Sequence, residues 1–206
     1  MRIRVHGGAA IPFMWLLVVC VGALLFCGGA DGGAAARTKT PGSDASTDAS
    51  KSEVRNNAAS LLYDLLGSEK DVSKILIIRR RPARVTRVIK AISKTAGDGQ
   101  DQLDALAHDD KTLNLHAIQL PPGETATRDA IRKTKEHELL LSWGAKFDMN
   151  LLLSQTDALD YGSHLAKIAA ENSTSPEQER EFHALDVALS ALYVRVVADI
   201  RAVPAK

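Results

Sequence analysis

Beyond residue 27 the chain has no cysteine, because Cys20 and Cys27 are the two it carries. A folded region without a thiol excludes a disulfide framework, a cysteine-ligated zinc site and a cysteine nucleophile together. Aromatic residues are scarce at 4%, while Leu and Ala are plentiful. That composition suits packing between helices better than the β-branched and aromatic faces of a sheet. Net charge is nearly absent: 26 Lys and Arg against 25 Asp and Glu leave +1. No field of the whole molecule draws it to nucleic acid, so any electrostatic function is local. Also missing are a Gly-rich phosphate loop, a nucleophile-elbow serine with its His and Asp, and a His-Glu-x-x-His pair. The expectation is a chain that is not an enzyme and needs no cofactor.

What is there begins with an address. Arg2, Arg4 and His6 precede IPFMWLLVVCVGALLF, an unbroken apolar run over residues 11–26. A charged start followed by an apolar stretch is the export pattern. Small residues follow in Gly28-Gly29-Ala30 and Ala34-Ala35-Ala36, so residues 1–30 read as a cleaved signal ending at Ala30 or as a retained anchor. A third route is lipidation at Cys27, where Leu24-Leu25-Phe26-Cys27-Gly28 resembles a degenerate lipobox with Phe26 in place of a small residue. Each route leaves the positive residues on the cytoplasmic side and the remainder extracytoplasmic, on the periplasmic or cell-envelope side, secreted or membrane-associated through this segment. Residues 31–52, rich in Gly, Ala, Ser, Thr and Asp, lack large apolar side chains and read as a flexible spacer.

At 206 residues there is room for one core, and residues 53–203 supply it. Ala58, Leu61, Leu62, Leu65, Leu66, Val72, Ile75 and Leu76 recur at steps of three and four, predicting one amphipathic helix that Pro82 ends. A second carries Val85, Val88, Ile89, Ile92, Leu103 and Leu106, with Gly97 and Gly99 as a weak middle. Leu120-Pro121-Pro122-Gly123 predicts a crossing loop, and Thr125 caps a short helix to about Ser142. A longer helix follows from about Ala145 to Glu171, with Phe147, Leu151, Ala158, Leu165 and Ile168 on one side. Trp143 at the junction reads as a packing anchor. Ser175-Pro176-Glu177-Gln178 is a strong helix start: cap, proline at the first position, acid in the first turn. Phe182, Leu185, Leu189, Leu192, Val196 and Ile200 continue it. Four long amphipathic helices predict an antiparallel all-α four-helix bundle.

Ser142-Trp143-Gly144-Ala145-Lys146-Phe147-Asp148, with the Leu-Pro-Pro-Gly loop before it and a long helix after it, resembles a bacterial family of exported ferritin-like bundles of unknown function. That family is drawn with a Ser-Gly-x-x-Phe-Asp motif opening its third long helix, and the likeness spans roughly residues 55–200. The resemblance implies the fold and no activity. Trp143 here separates Ser142 from Gly144, and the family's histidine one or two turns on is replaced by apolar and amide residues. Both departures put a histidine-based role in doubt.

Ferritin-like folds raise the question of a di-metal carboxylate site, which uses Glu-x-x-His on two helices. The nearest substitutes are Asp160 with His164 and Glu179 with His183, each an i, i+4 pair that equally reads as solvated neighbours on a helix face. His108-Asp109-Asp110 with His116 offers a loose cation site, or simply a helix end and a polar loop. Asn172-Ser173-Thr174 fits the glycosylation pattern. The one charge cluster comprises Arg79, Arg80, Arg81, Arg84, Arg87, Lys90 and Lys94. Arg80, Arg81, Arg84, Arg87 and Lys90 are the expected anion- or partner-binding set, for anionic lipid or an envelope polymer rather than nucleic acid. Its alternative is a solvated face balanced by Glu69, Asp71 and Asp98. Two functional readings follow: a non-catalytic interaction or structural module of the envelope, and a ferritin-like metal-binding or redox-stress bundle. The oligomeric state has no signature in the sequence.

Overall fold

A computed structural model describes residues 43–203, and these are all-helical, with no strand among them. The N-terminal apolar run, its Cys27 and the spacer up to residue 42 lie outside the described residues. Among those described, no helix is long and apolar enough to cross a membrane.

Helix α1 runs Ser43–Glu69, a short turn and α2 (Ile75–Ile78) follow, and α3 covers Ala83–Asp109. Then come α4 (Pro122–Leu141), α5 (Gly144–Glu171) and α6 (Pro176–Arg201). The four long helices α1, α3, α6 and α5 close a cycle, because α5 packs on α6 and on α1, while α3 packs on both α1 and α6. Arg84, near the start of α3, donates to the Ala202 carbonyl at the end of α6, whereas Asp110, just past α3, pairs with Gln178 in the first turn of α6. The two helices are therefore antiparallel. The predicted stripes fill the centre: Leu62, Leu66, Val85, Ile89, Ile92, Leu103, Phe147, Leu151, Phe182 and Val196 are all buried. Ile168, assigned to the same side of α5, is exposed.

Several boundaries differ from the sequence reading. Helix α1 begins at Ser43, inside the stretch read as spacer, because a helix seeded by its packed part gains a hydrogen bond for every residue added. It ends at Glu69 rather than at Pro82. The Lys70 carbonyl accepts the Ser93 hydroxyl of α3 instead of continuing the helix, and the tighter turn that follows buries Val72. The glycines of α3 do not break it. A Cβ on Gly99 would stand 2.9 Å from Leu185 Cδ2 and 3.1 Å from Leu66 Cδ1, so α1 and α6 both approach α3 closely at this position. Helix α4 opens at Pro122, inside the predicted loop, since proline suits a first helical position that needs no N–H bond. The cap at Ser175 forms as read: its Oγ accepts the Gln178 N–H at 3.2 Å.

The crossing segment between α3 and α4 is held by α1. Asn57 Oδ1 accepts the Gln119 N–H at 3.0 Å and Ser60 Oγ accepts the Ala117 N–H at 2.9 Å, while Leu113 and Leu115 are buried beneath. Helix α4 packs on α5 from outside, with Leu139 buried and Arg128 over the Tyr161 ring at 5.3 Å.

Candidate functional site

The weak net charge conceals a polar distribution. From Lys70 to Lys90 the chain carries Lys70, Lys74, Arg79, Arg80, Arg81, Arg84, Arg87 and Lys90 against Asp71 alone. The other end of α3 carries Asp101, Asp104, Asp109 and Asp110, and the start of α6, which meets it through Asp110 and Gln178, adds Glu177, Glu179 and Glu181. The protein is basic at one end and acidic at the other.

The arginines of the basic end divide into two kinds. Arg79 and Arg81 are built into the structure. The Arg79 guanidinium lies 4.2 Å from the Trp143 ring centroid and 4.7 Å from that of Phe147, and it donates to the Ser142 carbonyl at 2.6 Å and the Leu140 carbonyl at 3.0 Å. Arg81 covers Phe147 at 4.8 Å, donates to Asp148 Oδ1 at 3.0 Å and reaches the Gly144 carbonyl at 3.2 Å. Together they clamp the junction of α4 and α5, where Gly144 takes φ +57° to turn the chain into α5. Of the expected anion-binding set, Arg81 thus has an internal carboxylate partner. Arg84 is half-buried and grips the end of α6. Arg80, Arg87 and Lys90 are exposed, and with them lies the available positive charge.

Beside these charges the surface is apolar. Trp143 is 72% exposed, which corrects its reading as a packing anchor; Ile77 is 86%, Leu140 69% and Leu141 66% exposed. Scattered exposed apolar residues are ordinary. Here, however, Leu140, Leu141 and Trp143 flank the two carbonyls that Arg79 holds, and Ile77 is two residues before that arginine. The Arg79 guanidinium lies over the Trp143 ring.

Just inside this end is an acid the sequence reading assigned to the solvated surface. Glu69 is buried, and burial pushes its carboxyl up to about 8, partly offset by the Gln155 side chain. Glu69 Oε2 and Gln155 Oε1 are both buried without a hydrogen-bond partner. Both are acceptors while Glu69 is ionised, and a proton on the carboxyl supplies the missing donor.

The acidic end is organised by Arg55, which is fully buried. It donates to Thr174 Oγ1 at 2.7 Å, to Gln178 Oε1 at 3.2 Å and to the Thr112 carbonyl at 2.8 Å, tying α1 to the α3–α4 crossing and the α5–α6 turn. Asp110 is held below the usual carboxylate range by the Thr112 hydrogen bonds first, then by Gln178 and Arg55. Arg55 escaped the sequence reading although it precedes Ala58, Ala59 and Leu62 by three, four and seven residues, the register of the buried stripe. Of the loose cation group, His108 and Asp109 are exposed, Asp110 is engaged as above, and His116 meets the Tyr63 ring edge-on at 5.7 Å.

The acid and histidine pairs lie on outer faces. Asp160 and His164 are exposed on α5, with carboxylate and ring nitrogen 3.9 Å apart. On α6, Glu179 and His183 are exposed, and His183 approaches Asp186 at 3.9 Å. Among the described residues, no three His, Cys, Asp or Glu gather as a metal site would need. Comparison with family models, curated proteins and solved structures finds no match to this chain.

Proposed function

We propose that this chain is an antiparallel four-helix bundle of ferritin-like type, exported or membrane-tethered by residues 1–30, and that it works without catalysis as an interaction module of the cell envelope. Its basic end meets an anionic surface. The closed cycle of α1, α3, α6 and α5 supports the fold. The observation that carries the function is the Lys70–Lys90 concentration of positive charge, with Arg80, Arg87 and Lys90 exposed on a folded segment that Arg79 and Arg81 fasten to the α4–α5 junction. Charges displayed on a fixed scaffold lose little freedom on binding, which favours a charged partner.

The test is retention on an immobilised polyanion. Reversal of Arg80, Arg87 and Lys90 to Glu should move elution to much lower salt, and unchanged elution would remove the basis for the proposal. These three are chosen because Arg84 also holds the end of α6, so its loss confounds binding with folding. The resemblance carries a second reading, a metal-binding or redox-stress bundle, for which Asp160, His164, Glu179 and His183 are the donors on hand. Stoichiometric iron, manganese or zinc in protein purified from its native source would favour it.

A further inference from the structure

The basic end also carries an apolar surface that a purely ionic contact does not need. Ile77, Leu140, Leu141 and Trp143 come from two separate chain segments, and the Arg79 fork fixes the second against the first. An exposed indole beside aliphatic side chains, with the Arg79 guanidinium on its ring and further Arg and Lys along the same basic segment, is the composition of a protein surface that sits at a membrane–water boundary. The indole and the aliphatic groups enter the boundary layer, and the cations meet phosphates. Three acids near these residues in the chain have cationic partners: Asp71 lies 2.5 Å from Lys74, Asp148 3.0 Å from Arg81, and Glu138 4.0 Å from Lys135.

We infer that this tip is a membrane-docking site, in which Trp143, Leu140, Leu141 and Ile77 insert at the surface of a bilayer containing anionic phospholipid while Arg80, Arg87 and Lys90 hold its headgroups. The inference rests on the anionic-surface reading above and names the surface. The tip lies away from the point where the chain enters α1 at Ser43, about 40 Å along a helix of that length.

The chain has two tryptophans, Trp15 and Trp143, so in the full chain carrying Trp15→Phe the fluorescence reports the tip alone. On vesicles of phosphatidylcholine with phosphatidylglycerol, Trp143 emission should shift to the blue and its quenching by iodide should fall several-fold. Vesicles of phosphatidylcholine alone should leave both nearly unchanged. Leu140→Ser with Leu141→Ser, two exposed positions, should reverse most of the protection without altering the helical circular dichroism. If Trp143 stays equally quenchable while the chain floats with anionic vesicles, insertion is overturned; if that flotation still depends on Arg80, Arg87 and Lys90, the anionic-surface reading stands without it. If inorganic polyphosphate without lipid protects Trp143 equally, the partner is a polymer and the membrane inference is overturned. If Trp143 is unaffected and charge reversal changes neither flotation nor polyanion retention, both readings fall.

Discussion

Arg79 lies 4.2 Å from the centre of the Trp143 ring and grips the carbonyls on either side of Leu141, so one side chain from before α3 fixes the corner between α4 and α5. A cation over an indole contributes ~0.5–1 kcal/mol at an exposed site, and each hydrogen bond from a charged donor about as much again or more. Arg79→Ala should therefore lower unfolding stability by about 2 kcal/mol in urea titration. Arg79→Lys should recover less than half of that, because an ammonium cannot fork between two carbonyls and lie flat on a ring. Equal stability of the two variants would show that charge alone, not the fork, holds the corner.

At the opposite end the same residue type acts entirely within the interior. Arg55 meets Thr174, Gln178 and the Thr112 carbonyl with no water access. Its removal leaves the buried Gln178 Oε1 without its charged donor and cuts the ties to Thr112 and Thr174, a combined effect of ~3 kcal/mol for several bonds from one charged group. Arg55→Met should lower the midpoint of thermal unfolding by well over 5 °C, on the usual scaling of about 2–4 °C per kcal/mol for chains near this length. A shift within 2 °C would contradict the assigned role.

The apolar stripes of α3 and α6 were legible, because a period of three and four with branched and Leu side chains has one economical interpretation. The Ser175-Pro176 cap was legible for the same kind of reason: a chemical pattern with a single structural use. The end of α1 was not, since what stops it at Glu69 is the Ser93 hydroxyl of another helix taking the Lys70 carbonyl. The three-way use of the arginines was hidden likewise. Nothing in the run Arg79-Arg80-Arg81 distinguishes the outer two, which stack on Phe147, from the middle one, which is exposed. Trp143 was misread because large aromatics at helix junctions are usually packed inward, and here the space is taken by Phe147, which is 2% exposed.

Glu69 sets a pH dependence with a definite sign. Its folded carboxyl is pushed up to about 8, while in the unfolded chain it titrates near the ordinary value of about 4.5. Between those two pH values the folded state holds a proton that the unfolded state has released, so stability falls as pH rises across that window and then levels off. Glu69→Gln keeps the shape and stays neutral. It should match the parent at pH 4, exceed it increasingly up to pH 8, and hold a constant advantage above, in denaturant titrations at each pH. A constant difference from pH 4 to 9 would show that the carboxyl is not buried as described.

Two glycines of α3, two residues apart, should respond with opposite sign. Around Gly97 a Cβ meets nothing within 4 Å, so Gly97→Ala should stabilise by about 0.5–1 kcal/mol through helix propensity. At Gly99 the added carbon meets Leu185 Cδ2 at 2.9 Å, and Gly99→Ala should destabilise by about 1–2 kcal/mol as the core is overfilled. Both variants moving the same way would contradict the close approach of α1, α3 and α6.

The central claim is that the basic end meets an anionic surface. Flotation of the full chain with vesicles at increasing anionic lipid content, parent beside the Glu reversal of Arg80, Arg87 and Lys90, tests it most directly. The parent's bound fraction should climb with anionic lipid and fall with salt, while the variant's should stay at the level seen on neutral vesicles. Parallel curves for the two proteins would contradict the account and leave the charge of this end a solvated face.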